Sequence, residues 1–303
     1  MELKITKTRF RTLFAAAVST LIAVYGAQAQ DKVLNLYSAR HYSTDEALYT
    51  NFTKATGIKI NRLEGGEDQL LQRIKSEGAN SPADVFLTVD AGRLWLADQE
   101  GVFAPVQSKV LNDRIPAAYR LASNTWYGLS SRARVMVVDK LKVKPGEITS
   151  YEDLADPKWK GQVCTRSGSH VYMLSLISSI IEHAGAEKAE AWAKGVVANL
   201  ARPPKGGDTD QVKAVAAGEC AVALSNSYYL ARMIKSDKAD DRTAMERVRV
   251  VWPNTNGRGV HMNVSGGGVL KYAPNRDNAI KFMEYLVSDE AQGYFANGNN
   301  EWP

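Results

Sequence analysis

The stretch Trp126-Tyr-Gly-Leu-Ser-Ser-Arg132-Ala-Arg-Val-Met-Val-Val138 is a long extended run with no helix directly behind it. A second extended run, His261-Met-Asn-Val-Ser-Gly-Gly-Gly268-Val-Leu-Lys271, comes late in the chain. We interpret both runs as crossovers between two lobes, which together form a hinge beside a cleft. The sequence therefore predicts an N-terminal lobe made of residues 30–130 plus 260–303 and a C-terminal lobe made of residues 131–259.

Both lobes are predicted to be α/β units, because strand and helix patterns alternate along them with short links. In the first lobe, strand patterns at residues 33–37, 58–62 and 84–88 are separated by helical patterns. In the second lobe, a buried strand at residues 220–224 is followed by a helix. The repeated strand-helix order predicts parallel strands covered on both faces by helices.

The first 29 residues have the pattern of a signal peptide. Four basic residues between positions 4 and 11 precede an apolar run at residues 13–27, and Ala27-Gln28-Ala29 is an A-x-A cleavage pattern. A retained membrane anchor would need about 20 apolar residues, which is more than this run has. We therefore predict that residues 1–29 are cleaved and that the mature protein is periplasmic and monomeric.

The charge of the predicted mature chain is close to neutral. The signal peptide holds four of the 38 basic residues and one of the 33 acidic residues, so 34 basic and 32 acidic side chains remain. This balance does not indicate a nucleic-acid partner. Two cysteines, Cys164 and Cys220, begin or end predicted neighbouring strands. An oxidising compartment permits a disulfide between them, but buried free cysteines are also common, and the sequence leaves both states open.

Tyrosines stand where predicted strands lead into helices. His41-Tyr42, Tyr172 and the pair Tyr228-Tyr229 occupy three such loops, and in an open α/β sheet these loops lie along one edge. Phenolate is a hard anionic donor, which suits a hard trivalent cation such as Fe(III). The pattern therefore predicts an iron site in the cleft. For the tyrosine pair, the alternative is one ring packed in the core and the other half exposed. A lone loop histidine is more often a surface residue.

Other residues of this region have candidate supporting roles. Ser225 and Ser227 are candidate N-caps for the helix that carries Tyr228. Arg232, one turn after Tyr228, and Arg132, on the first crossover, are candidates to balance phenolate charge from outside the metal's coordination shell. The alternatives are a solvated helix charge for Arg232 and a hinge ion pair for Arg132.

Four segments carry a resemblance to a known family. They are Leu34-Asn-Leu-Tyr-Ser-Ala-Arg-His41-Tyr42, Ser81-Pro-Ala-Asp-Val-Phe86, Trp159-Lys-Gly-Gln-Val-Cys-Thr-Arg-Ser-Gly-Ser-His170 and Ser225-Asn-Ser-Tyr228-Tyr229. Together with the export signal, they resemble the periplasmic ferric-iron-binding proteins of ABC importers, in particular the cyanobacterial-type, tyrosine-rich branch. The resemblance extends from about residue 31 to residue 303.

The resemblance implies a two-lobed type II periplasmic-binding-protein fold that delivers iron to an ABC-transporter membrane permease. The implied ligands of Fe3+, with Fe2+ left open as a second state, are His41, Tyr42, Tyr172, Tyr228 and Tyr229. A related branch uses a carboxylate after the third strand together with a synergistic anion. That position here is Val89, which favours the tyrosine-rich mode. The resemblance also implies a further helical segment after Pro303 that packs on the first lobe.

Enzyme classes lack their motifs in this sequence. There is no G-x-S-x-G elbow, and no P-loop or dinucleotide fingerprint. An iron oxygenase would need two histidines and a carboxylate, whereas the predicted loops supply one histidine and several phenols. We expect no enzymatic activity. Two binding alternatives stay open: a protein of the same fold for an oxyanion or small organic anion, held by helix N-termini and Arg166, or an iron-handling protein without a transporter partner.

Overall fold

The computed structural model describes residues 32–40, 42 and 44–303; the predicted signal peptide and His41 lie outside these ranges. The strands are β1 (Val33–Ser38), β2 (Lys59–Glu64), β3 (Val85–Thr88), β4 (Tyr127–Asp139), β5 (Val163–Cys164), β6 (Val222–Asn226), β7 (Val248–Val251) and β8 (Met262–Val269). The helices are α1 (Asp45–Thr56), α2 (Glu67–Glu77), α3 (Ala91–Gln99), α4 (Lys109–Arg114), α5 (Val171–Ala184), α6 (Ala186–Ala198), α7 (Asp208–Ala216), α8 (Ser227–Ile234), α9 (Ala239–Arg247), α10 (Arg276–Leu286) and α11 (Asp289–Tyr294). Within these ranges, no helix is both long enough and apolar enough to cross a bilayer.

The strands form one continuous order, β2-β1-β3-β8-β4-β6-β5, with β7 also paired to β4. The predicted parallel arrangement is confirmed for β1 with β2 and β3, and for β5 with β6. The strands β8 and β4 run antiparallel to their neighbours. Parallel strands need helical crossovers, which place α1 and α2 on the sheet, so the carboxyl ends of the parallel strands share an edge within each half. The two halves run in opposite directions, and these two edges face each other near residues 128–134 of β4.

The strand β4 connects the two halves of the sheet, as the sequence predicts for the first crossover. Its first half, from Tyr127 to Ala133, pairs with β8, and its second half, from Arg134 to Val138, pairs with β6. All thirteen of its residues are buried. Only its second half contains a continuous apolar run, as expected of a strand buried on both faces, whereas its first half buries polar side chains that include Arg132.

The second crossover, β8, depends on three consecutive glycines. A Cβ atom at Gly266 would lie 2.2 Å from the carbonyl oxygen of Tyr127, and one at Gly267 would lie 2.5 Å from that of Phe86. At Gly268 the nearest atom, the carbonyl oxygen of Thr125, would be 2.4 Å away. Any side chain here would therefore separate β8 from the backbones beside it.

Each half of the sheet has its own hydrophobic core. Leu34, Leu36 and Phe52 belong to a core that β1, α1 and α10 cover on the first-lobe side. Met136 and Leu224 belong to a second core, beneath α5 and α6. Two further buried clusters lie on the opposite faces of the same two halves, so each half is a sheet covered on both faces, as the predicted α/β architecture requires.

Cys164 and Cys220 are joined by a disulfide bond in the structure, with Cα atoms 5.9 Å apart. The bond connects the end of β5 to the residue two positions before β6, within the second lobe. The two cysteines are 56 positions apart, and the loop between them includes α5, α6 and α7.

Removal of this disulfide should destabilise the protein. We expect the pair Cys164→Ala and Cys220→Ala to lower the free energy of unfolding by about 2–4 kcal/mol, because the cross-link restricts the unfolded chain. Urea unfolding followed by circular dichroism measures this loss. Wild-type protein unfolded in the presence of a reductant is the control and should show a similar loss. An unchanged free energy of unfolding would contradict a stabilising role for the bond.

Candidate metal site

Two buried phenol oxygens lie side by side in the second lobe. Tyr228 lies in the first turn of α8, directly after β6, and Tyr172 lies in the first turn of α5. Their hydroxyl oxygens are 3.2 Å apart, although 56 positions separate the two residues in sequence. Both side chains are buried. The two oxygens are thus close enough to coordinate one ion together.

Two further tyrosines pack around this pair. Tyr229 is partly exposed and stacks on Tyr228, with ring centres 4.3 Å apart. Tyr42 lies between β1 and α1, and its ring meets Tyr228 edge-on, with ring centres 6.1 Å apart. As the alternative interpretation predicts, one ring of the Tyr228-Tyr229 pair is buried and the other is partly exposed. The Tyr228 hydroxyl nevertheless faces that of Tyr172. Four of the five predicted ligands thus lie together, and His41 lies outside the described residues.

The prediction of N-caps for α8 was wrong. Asn226, with an extended backbone, occupies the cap position. Ser227 is already the first helical residue, and its hydroxyl accepts a hydrogen bond from the backbone N–H of Ala133 at 3.2 Å. Ser225 donates to the carbonyl oxygen of Asn226 at 3.2 Å. The hydroxyl of Ser227 therefore ties the tyrosine-bearing helix to the crossover strand β4.

The structure places both predicted arginines against the tyrosine rings. The guanidinium carbon of Arg232 lies 4.7 Å from the ring centre of Tyr42 and 4.9 Å from that of Tyr228. Arg132 is fully buried and lies 5.6 Å from the ring centre of Tyr172. It donates to the hydroxyl of Ser265 on the other crossover strand at 2.9 Å. Among the residues that the structure describes, its buried Nε and Nη2 atoms have no hydrogen-bond partner.

Burial sets the proton affinity of these phenols. Desolvation, as the largest cause, raises the pKa of Tyr172 to about 12, while Arg132 opposes the shift. Desolvation also raises the pKa of Tyr228 well above its usual value, and the adjacent phenols add to this rise. The pKa of Tyr42 is raised by burial and then by Glu301. Without a cation, these oxygens keep their protons at neutral pH.

Sequence reasoning missed one buried carboxylate beside the tyrosines. Glu301 is 2% exposed, and its Oε1 accepts from the hydroxyl of Tyr42 at 3.4 Å. Its carboxylate also accepts from Ser130 on β4 at 2.8 Å and from Ser265 on β8 at 3.3 Å. No local motif marks Glu301, because its partners lie up to 259 positions away.

The position after the third strand has no metal ligand. Val89 is buried and apolar. The neighbouring carboxylate of Asp90 caps α3 by accepting from the N–H of Gly92 at 2.8 Å. It also accepts from Ser175 at 2.8 Å and from Asn263 at 2.6 Å. Its oxygens are therefore committed to structural hydrogen bonds.

His170 has a structural role at the start of α5. Its Nδ1 accepts from the backbone N–H of Tyr172 at 3.2 Å and so caps the helix. The two rings meet edge-on with centres 4.6 Å apart. Burial lowers the pKa of His170 to about 4, with a further contribution from Arg166. The imidazole is thus neutral at physiological pH, and it packs against the ring of Tyr172.

Comparison with known proteins agrees with this geometry. Residues 80–303 match the family of bacterial extracellular solute-binding proteins. The chain is 52% identical over 274 residues to iron uptake protein A1 of Synechocystis sp., covering 90% of this chain and 76% of that relative. It superposes with a TM-score of 0.85 on the Trichodesmium protein IdiA (FutA) in complex with iron and citrate ligands, at 57% identity over 89% of this chain and 86% of that one.

A more distant relative shares the architecture. The ferric binding protein from Campylobacter jejuni superposes with a TM-score of 0.85 at 40% identity, covering 89% of this chain and 86% of that one. These relatives are solute-binding proteins, and they confirm the predicted two-lobed type II periplasmic-binding-protein fold. The chain belongs to the bacterial extracellular solute-binding proteins, within the cyanobacterial-type branch of periplasmic ferric-iron-binding proteins.

Proposed function

We propose that the protein captures Fe(III) in the cleft between its lobes and delivers it to the membrane permease of an ABC importer. The observation that carries this proposal is the pair of phenol oxygens of Tyr172 and Tyr228 at 3.2 Å, packed against Tyr42 and Tyr229. The names of the relatives, iron uptake protein and ferric iron-binding protein, support the choice of cargo.

The chemistry of the donors favours a ferric ion. The proposed ligands are His41, Tyr42, Tyr172, Tyr228 and Tyr229. Fe(III) is a hard trivalent ion and stabilises phenolate more than a divalent ion does, so it can displace protons that the buried phenols otherwise hold. Four phenolates carry one more negative charge than Fe(III) balances. Arg132 and Arg232, both against the rings, offset that excess.

The ligands come from both proposed lobes. Tyr42 belongs to the N-terminal lobe, residues 30–130 plus 260–303, and the other three tyrosines belong to the C-terminal lobe, residues 131–259. We propose that three tyrosines receive the ion first and that Tyr42 and His41 join as the hinge of β4 and β8 closes. Closure excludes water, which strengthens each ionic bond.

The remaining properties follow from an import role. We propose that residues 1–29 direct export to the periplasm and that the mature protein acts as a monomer, without a nucleic-acid partner and without catalysis. Protonation of the phenols or reduction to Fe(II) would release the ion, because Fe(II) is a weaker Lewis acid and holds phenolate poorly.

A second candidate, binding of an oxyanion or organic anion without metal, has less support. Arg166, its proposed clamp, donates to Asp208 at 3.2 Å and lies 5.0 Å from the ring centre of Tyr172. Its guanidinium is therefore engaged in the protein. The second alternative, iron handling without a transporter, would use the same cleft.

Metal analysis of protein purified without added iron, together with an absorption spectrum, tests the proposal. We expect close to one iron per chain and a visible phenolate-to-Fe(III) charge-transfer band, which dithionite should bleach by reducing the ion. Protein stripped of metal and then saturated with citrate alone is the control and should be colourless. A colourless protein that takes up citrate and refuses Fe(III) would reverse the assignment in favour of an anion.

A further inference from the structure

Asp208, at the start of α7, is hydrogen-bonded to both segments that lead into the tyrosine-bearing helices α5 and α8. We propose that Asp208 is a positioning residue for the ferric site: it fixes the helix starts of Tyr172 and Tyr228 relative to each other. This inference rests on the proposed function, since it concerns the same ligands. No motif in the sequence points to Asp208.

The carboxylate of Asp208 is completely buried and has three nitrogen partners. Its Oδ2 accepts from Arg134 Nη1 at 2.5 Å and from the backbone N–H of Asn226 at 2.8 Å. Its Oδ1 accepts from Arg166 Nη1 at 3.2 Å. These partners belong to β4, to the residue before α8 and to the loop before α5, three segments that are distant in sequence.

Each partner leads directly to a proposed ligand. Asn226 lies two residues before Tyr228 and is the N-cap of its helix. The guanidinium of Arg166 lies over the ring of Tyr172, 5.0 Å from its centre. Arg134 closes the network, because its Nη1 also donates to the side-chain oxygen of Asn226 at 3.1 Å. One carboxylate therefore determines where both helix starts lie.

The network serves geometry better than it serves stability. Removing ions from water costs free energy that a buried ion pair only partly recovers, so apolar residues of similar volume would often be equally stabilising. Phenol oxygens that are held in fixed positions, in contrast, bind a metal ion more tightly. Loss of a residue that orients a metal ligand typically lowers metal affinity by roughly 10–100-fold. The side chains of Arg134 and Asp208 are 2% and 0% exposed, so solvent does not weaken the connection.

Asp208→Asn tests this inference, with ferric nitrilotriacetate as the iron source. We expect ferric affinity to fall by roughly 10–100-fold, with a shifted charge-transfer band and an altered high-spin ferric electron paramagnetic resonance signal. The spectral changes report ligand geometry, which a loss of stability alone would not move.

Asp84→Asn is the matched control. Asp84 is also completely buried and also ties separate segments together, accepting from the backbone N–H groups of Asn35 and Asn275 at 2.7 Å each. It lies in the first lobe beside β3, away from the tyrosines. This variant should lose thermal stability and keep the wild-type ferric spectrum and affinity. If both variants changed the ferric site equally, or if Asp208→Asn left it unchanged, the inference would be overturned.

A milder variant covers the case in which Asp208→Asn fails to fold. Arg166→Gln removes one partner from the network and leaves the Arg134–Asp208 pair intact; the Arg166 side chain is 12% exposed, so its loss should be tolerated. We expect a several-fold faster release of iron to a chelator and a shifted band, with little change in melting temperature. A folded Arg166→Gln protein with wild-type release and spectrum would refute the inference. Failure of the wild-type protein to bind Fe(III) would instead refute the proposed function.

Discussion

Replacement of Tyr228 and Tyr229 together by phenylalanine should abolish high-affinity Fe(III) binding and leave the fold intact. The two substitutions remove two anionic oxygens and keep both rings, including the stacked pair at 4.3 Å. The Tyr228 hydroxyl pairs with the buried hydroxyl of Tyr172, so its removal should also cost about 1–3 kcal/mol of stability, which is too little to unfold a domain of this size. We expect a loss larger than the roughly 100-fold that follows from losing an outer partner.

Competition between the protein and citrate for Fe(III), followed by the charge-transfer band, measures this loss. The double variant Tyr37→Phe and Tyr127→Phe is the matched control. Both of these phenols are buried, but they donate to Glu77 and to the carbonyl oxygen of Val106, at 3.0 Å each, and not to another tyrosine. The control should bind Fe(III) as the wild type does. Ferric affinity retained in the Tyr228/Tyr229 variant would remove the basis of the proposed function.

Binding of Fe(III) should release about one proton for each phenol that becomes a ligand. Burial raises the pKa of Tyr172 to about 12 and that of Tyr228 well above its usual value, so at pH 7 these groups are protonated before the ion enters. Each proton released makes the apparent affinity fall by about tenfold for each unit that the pH drops. The cargo should therefore be held at neutral pH and lost on acidification.

Proton release can be counted in weakly buffered solution at pH 7 while ferric citrate is added at a fixed excess of citrate. We expect about four protons per ion for the wild type, one for each proposed phenolate. Tyr42→Phe should release one proton fewer, because burial and Glu301 raise the pKa of that phenol too. Binding without proton release would mean that the phenols stay neutral and are not the ligands.

The features that sequence predicts here are those with local patterns. The long run around Arg132 identifies β4 as a crossover because thirteen extended residues are more than one lobe's strand needs. The strand-to-helix loops of Tyr42, Tyr172 and Tyr228 are predicted to converge because such loops share an edge of the sheet, and the structure brings these three residues together.

The features that sequence does not predict depend on distant contacts. Glu301 meets Tyr42 across 259 positions, and Asp208 meets Arg134 across 74; neither pair leaves a periodic trace. The helix cap at Asn226 was missed for a different reason. Both neighbouring serines are equally good caps by residue type, and only the hydrogen bond from Ala133 to Ser227 shows that one of them has another partner.

The glycine run of β8 also determines where this molecule can bend. The neighbouring backbones approach Gly266, Gly267 and Gly268 very closely. We therefore expect this end of β8 to stay in place when the lobes move. We expect any opening motion to pivot at the other end of β8, at residues 262–265, which pair with β4 and not with β3. Across that pivot, Arg132 donates a 2.9 Å hydrogen bond to the hydroxyl of Ser265. Arg132 and three of the tyrosines belong to one proposed lobe and Ser265 belongs to the other, so we expect opening to break this hydrogen bond while the guanidinium stays against the ring of Tyr172.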